Sequence, residues 1–234
     1  MDYSIPPANG KPVTPALLKG KTMPLMYTQK GRQRITVGLL WDTPEAFAEG
    51  QDSFRPETDL GVSVYGEQLN VEIGFVQETY DLDLVCLMFD KDKVLIDAVS
   101  PDPLESIDHS GTVYHSGDET EGVSSGDDEQ ISVELAYLPK NIHSLAFIGI
   151  IQSGHYFGHV LNTECRVADG RTNAELWRAP IGRTLKDGSD KTAVLFCTIY
   201  KGGDTGWTLK NIMEYRVDID VEDWAKEVAP YLPD

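Results

Sequence analysis

Between Asp81 and Glu129 the chain places fourteen acidic residues against only two basic ones, Lys91 and Lys93. Two groups within this run are spaced for joint action. Asp81 and Asp83 flank Leu82 at the mouth of an apolar run, and in extended chain alternate side chains project to the same side. Asp127, Asp128 and Glu129 follow Gly126 directly before a β-branched run, where successive side chains point opposite ways and one segment could serve two neighbouring ions. Between them, Ser116–Gly126 offers further oxygen donors in Asp118, Glu119, Glu121, Ser124 and Ser125, punctuated by Gly117, Gly122 and Gly126. Clustered carboxylates repel one another unless a cation sits among them, and an oxygen-only donor set suits calcium or magnesium better than zinc. The pattern by itself leaves two readings open, a dication site and a solvated acidic rim. It does not make an EF-hand: counted from Asp90, the sixth position is Leu95 and the twelfth is Pro101.

Other chemistry is poorly represented. There is no Gly-x-Ser-x-Gly and no Cys-x-x-Cys, and the Gly202–Gly206 stretch lacks the lysine and following helix of a phosphate loop, so it reads as a hairpin turn. His155 and His159 would meet on a helix, but Gly158 between them argues for a loop entering a strand. Cys86, Cys165 and Cys197 each sit in an apolar run and read as buried thiols. No enzyme activity is expected.

These side chains need a scaffold, and the remainder of the sequence reads as strands. Short β-branched or aromatic runs occur at Ile35–Trp41, Asp59–Tyr65, Leu69–Val76, Leu82–Phe89, Ile131–Leu135, Leu145–Ile151, Val160–Val167, Thr192–Tyr200 and Trp207–Val217. Without regular strand–helix alternation, such runs predict an all-β fold, a two-sheet antiparallel β-sandwich. An extended N-terminal arm precedes it and a short C-terminal helix follows. Asp220 would cap that helix, Trp224 and Val228 share a face, Pro230 ends it, and its expected place is over an edge or end of the sandwich.

The chain has 20 Lys and Arg against 38 Asp and Glu, a net charge of −18. Such a surface repels phosphate backbones and makes nucleic acid an unsuitable partner. The charge is uneven: up to Arg34 there are six basic residues and one acid, Asp2, in a Pro-rich stretch. Residues 1–31 therefore read as an extended basic arm able to lie on its own body or on a neighbour, which makes protein partners or self-association the expected interactions. The absence of a long apolar run argues against an integral membrane segment, and the first residues do not look like a secretion signal, so a cytoplasmic location is expected.

Ile35–Thr43, Tyr80–Asp83, Val113–Asp118 and above all Gly126–Ile131 occur in an order that resembles the TerD family. Further similarity runs through Phe157–Asn162, Arg166–Asp169, Asn173–Leu176 and Thr192–Phe196, covering about residues 32–217. The resemblance implies a β-sandwich at residues 32–234 that binds one or two calcium ions through acidic loops, without enzymatic activity, in tellurite and general stress resistance. By matching position it makes Asp81, Asp83, Asp118, Asp127, Asp128 and Glu129 the metal ligands, with Gly122 as a carbonyl donor. Pro44–Thr79 departs from the family pattern and reads as an inserted hairpin at about 44–79. Pro103–Ser106 replaces a family Phe-Tyr-Asn-Asn stretch, with Glu105 as the substitute ligand. The alternatives are a structural component of a larger assembly, such as a virion or polymer, and a calcium-dependent membrane attachment module.

Overall fold

The computed structural model describes residues 17–25, 33–42, 80–117, 127–182, 190–202, 206–217 and 221–234. Within them lie eleven strands: β1 Thr22–Pro24, β2 Arg34–Asp42, β3 Leu82–Phe89, β4 Leu95–Val99, β5 Val113–His115, β6 Glu129–Glu134, β7 Ser144–Ile151, β8 Leu161–Asp169, β9 Glu175–Pro180, β10 Ala193–Lys201 and β11 Trp207–Arg216. They form a six-stranded sheet in the order β1-β11-β10-β7-β3-β4 and a five-stranded sheet in the order β5-β6-β2-β8-β9. All of these pairings are antiparallel. The expected two-sheet β-sandwich is thus the fold observed.

Alternation explains the core. On β2, Ile35, Val37, Leu39 and Trp41 are buried and meet Leu82, Leu84, Cys86 and Met88 of β3 and Phe147 of β7 between the sheets. The three central strands of the larger sheet are apolar at both parities, as in the β7 sequence SLAFIGII, so a second apolar face remains on its outside. Val85, Leu87 and Phe89 of β3 and Ala146, Ile148 and Ile150 of β7 form that face, and Trp224, Val228 and Leu232 pack on it.

The C-terminal helix α1, Val221–Val228, therefore covers the broad outer face of the six-stranded sheet, not an edge or end as its position in the sequence suggested. The reason lies in the strands it covers, since a doubly apolar strand must be buried on both sides. Asp220, read as the helix cap, lies outside the described residues. The predicted strands Asp59–Tyr65 and Leu69–Val76 lie there too, with most of the N-terminal arm.

Part of that arm packs on its own body. β1 pairs with β11 as an edge strand, Leu25 is buried, and the Asn211 amide donates to the Leu17 carbonyl at 2.6 Å. Pro24 is compatible with this place because an edge strand leaves one side of the ladder unpaired. The β10–β11 hairpin spans Gly202–Gly206 as expected, closed by the Gly202 N–H donating to the Gly206 carbonyl. Among the described residues no helix is long and apolar enough to cross a membrane.

Candidate functional site

Where β3 begins and β7 ends, the structure forms a cavity of about 560 Å³. The two strands are neighbours, and their ends are tied by the Gln152 N–H donating to the Asp81 carbonyl at 2.9 Å. Asp81 and Asp83 both line the cavity, as period-two spacing requires of residues two apart in a strand. The Gln152 side-chain amide donates to Asp83 Oδ2 at 2.9 Å, and Asp81 N–H donates to the Ser153 hydroxyl at 3.3 Å.

The loop after β4 supplies another wall, with Pro101, Asp102, Pro103 and Ser106. Asp102 shapes this loop by accepting the Leu104 N–H on Oδ1 at 2.8 Å, while its carbonyl accepts the Glu105 N–H. Asp102 is therefore the acid this loop brings to the cavity. Glu105 is exposed and is not among the lining residues; its carboxylate accepts the Ser100 hydroxyl at 3.2 Å. Sequence reading included Asp102 in the acidic run but had no means to prefer it, because the turn that presents it depends on its own backbone-capping hydrogen bond.

The remaining wall is β5 and its exit, with His115, Ser116 and Gly117. The Gly117 N–H donates to His115 Nδ1 at 3.1 Å, so Nδ1 is an acceptor and the proton resides on Nε2. Nε2–H then faces Glu129 Oε2 at 3.2 Å, with both side chains fully buried. Asp118 and Gly122, which follow Gly117 in the chain, lie outside the described residues.

The three consecutive acids at the start of β6 diverge. Asp127 takes Arg166 through both oxygens, with Arg166 Nη2 at 2.8 Å from Oδ2, and its side chain is only 2% exposed. It lies on the outer face of the five-stranded sheet against Gly38, where any Cβ would meet the Asp127 carboxylate. Asp128 Oδ2 accepts the Trp41 N–H at 2.9 Å, and its own N–H donates to the Leu39 carbonyl. Glu129 Oε2 accepts the Leu84 N–H at 2.6 Å, linking β6 of one sheet to β3 of the other. β4 pairs with β3 only from Cys86 onward, so Leu84 is beyond that ladder and Glu129 supplies an acceptor there.

Of the sequence-predicted ligands, Asp81 and Asp83 share the cavity, Glu129 stands behind its wall, Asp128 ties β2, and Asp127 occupies a different depression. Among the described residues no group of three or more His, Cys, Asp or Glu side chains is arranged to hold a metal ion. The donor chemistry of the cavity nevertheless suits a hard cation. Its described lining carries three carboxylates, hydroxyls and an amide, and no lysine or arginine.

Other candidates are structural in their surroundings. His155 and His159 lie on a turn with ring centroids 6.1 Å apart, in an aromatic chain running from Tyr80 to Tyr156. Cys86, Cys165 and Cys197 are free and buried, and burial pushes each thiol well above its ordinary value, away from reactive thiolate.

The fold and the site define an antiparallel two-sheet sandwich with an oxygen-rich acidic cavity at the joined ends of two strands. The chain belongs to the TerD domain family, whose pattern matches residues 13–218. It is 42% identical over 163 residues to tellurium resistance protein TerZ of Serratia marcescens, covering 70% of this chain and 72% of that one. Similarity to general stress protein 16U of Bacillus subtilis is 29% over 196 residues, covering 81% and 84%. In fold it is similar to the crystal structure of a homologue of telluride resistance protein (TerD) from Streptomyces coelicolor A3(2). The TM-score is 0.57 at 20% identity, over 85% of this chain and 98% of that one.

Proposed function

We propose that this TerD-family protein is a non-catalytic calcium-binding module of the stress and tellurium-resistance response, with the ion held at the cavity between β3, β5 and the loop after β4. One observation carries the reading: Asp81, Asp83 and Asp102 line one cavity whose described lining includes no lysine or arginine. Three carboxylates on one lining concentrate negative potential there, and a hard dication would relieve it while using the oxygen donors around it. In this reading Asp118 and the Gly122 carbonyl supply further oxygens from the segment after Gly117. Asp128 and Glu129 brace the strands that frame the site, and the bound charge is read by a protein partner. The names of the relatives support the resistance and stress context.

Calorimetric titration of calcium into chelator-treated protein tests the proposal. Saturable binding is expected, weakened at least tenfold by Asp81→Asn or Asp83→Asn. At free calcium about 100-fold above Kd the ion contributes roughly 2.7 kcal/mol of stability, seen as a raised Tm. A flat titration together with a melting curve indifferent to chelation would refute it.

A further inference from the structure

Helix α1 covers the outer face of the six-stranded sheet; the outer face of the five-stranded sheet carries instead a polar groove of about 460 Å³. Arg34, Arg166 and Arg171 line it with Thr36, Ser132 and Asn173. Its two acids are engaged. Asp127 gives both oxygens to Arg166, and Asp169 Oδ1 accepts the N–H groups of Arg171 and Thr172 and the Thr172 hydroxyl.

The arginines keep donors in reserve. Arg166 is held in place by Asp127 and by Asn173 Oδ1 at 2.9 Å, with its side chain 12% exposed. Arg34 donates Nη2 to the Ser132 hydroxyl at 3.0 Å and lies over the Tyr114 ring. Its buried Nε has no hydrogen-bond acceptor but forms an ion pair with Glu134 Oε1 at 3.6 Å, which leaves Nη1 as the donor in reserve. Arg171 is used through its backbone N–H, which shapes the Asp169 turn, while its side chain lines the groove.

A depression lined by three guanidinium groups, in which Asp127 is paired to Arg166 and Asp169 accepts three hydrogen bonds on Oδ1, is complementary to an anion made only of acceptors. On a molecule of net charge −18, such a ligand is attracted only where arginines are gathered, as here. A concave site of a few hundred Å³ matches a small molecule better than a flat protein surface. We propose that this groove binds a small phosphate-bearing anion, with Arg34 and Arg171 as its principal donors and Arg166 as a fixed third. The proposal is independent of the calcium reading, which concerns another face.

Inorganic phosphate is the probe, titrated into the full chain without added calcium and followed by amide chemical shifts, with sodium chloride at matched ionic strength as reference. Saturable shifts are expected at Ser132, Gly170 and Arg171. Arg171→Gln is expected to weaken binding about tenfold or more, since a charge-assisted hydrogen bond is lost, and Arg171→Lys to recover part of the loss. Arg178→Gln, on the same sheet outside the groove, is expected to bind as the parent does. Because the hydrogen bond of Arg171 to the Asp169 turn comes from its backbone N–H, a folded variant is expected, and its amide spectrum reports this directly. Linear shifts shared with chloride, or undiminished affinity in Arg171→Gln, would overturn the proposal. So would preferential capture of a polyglutamate peptide over phosphate, which would assign the groove to a protein partner.

Discussion

Asp127, Asp128 and Glu129 are consecutive, yet each holds a different element: Asp127 takes β8 through Arg166, Asp128 the end of β2, and Glu129 the start of β3. For Glu129 the consequence is large, because its side chain is fully buried and its removal leaves the Leu84 N–H without that acceptor. Glu129→Ala is expected to lower stability by about 1–3 kcal/mol in urea denaturation, and Glu129→Gln by less, because the amide oxygen can still accept. Asp108 offers a pH test. Burial alone would raise its carboxyl, but hydrogen bonds from the Ser110 hydroxyl and from the Val113, Ser110 and Thr112 N–H groups outweigh this and leave it below the ordinary value of 3.8. A depressed folded-state value contributes stability that is present above the unfolded value and lost as pH falls through the folded one. The Tm advantage of the parent over Asp108→Asn is therefore expected to be constant near neutrality and to shrink as pH drops below about 4.

At the scale of elements, the start of β6 and the middle of β2 are fitted to each other. β2 pairs with β6 and β8, placing Gly38 opposite Gln130 and Arg166, and the Asp127 carboxylate rests where a Cβ at Gly38 would stand. Gly38→Ala is expected to displace that carboxylate from Arg166 and to lower Tm measurably. Combined with Asp127→Ala, which removes the obstructing group, the same substitution is expected to cost far less. Additive losses in the double variant would show that the two residues do not interfere. Several elements were plain in the sequence, among them β2, β3 and β7, where long apolar or alternating runs leave little choice. β1, β4, β5 and β9 were not, because they are short, lie at sheet edges, or are interrupted by residues such as Asp97 and Pro24. Their strand character comes from the neighbour they pair with, not from their own composition.

For the whole molecule, a net charge of −18 means that folding gathers like charges into a compact body. Repulsion between exposed charges is screened beyond about 10 Å at 0.1 M salt, so added sodium chloride is expected to raise the Tm of chelated protein gradually. Calcium, if held at the cavity, is expected to act at concentrations far too low to screen anything. A calcium response no steeper than that to sodium chloride would assign the effect to the acidic surface in general.

The sequence alone determined the fold class, the family and the acidic character of the loops, because alternation, apolar runs and local charge are properties of neighbouring residues. It also placed Asp81 and Asp83 together, since two-residue spacing in a strand has one geometric outcome. Only the tertiary structure decided that Asp102 lines the cavity while Glu105 does not, that Asp127 turns to Arg166, and that the terminal helix lies on a sheet face. It also gathered Arg34, Arg166 and Arg171 into one groove. Apart from the local turn at Asp102, each of these depends on which distant strands become neighbours, and partners such as Asp127 and Arg166 or Arg34 and Ser132, tens of residues apart, leave no periodicity for the sequence to display.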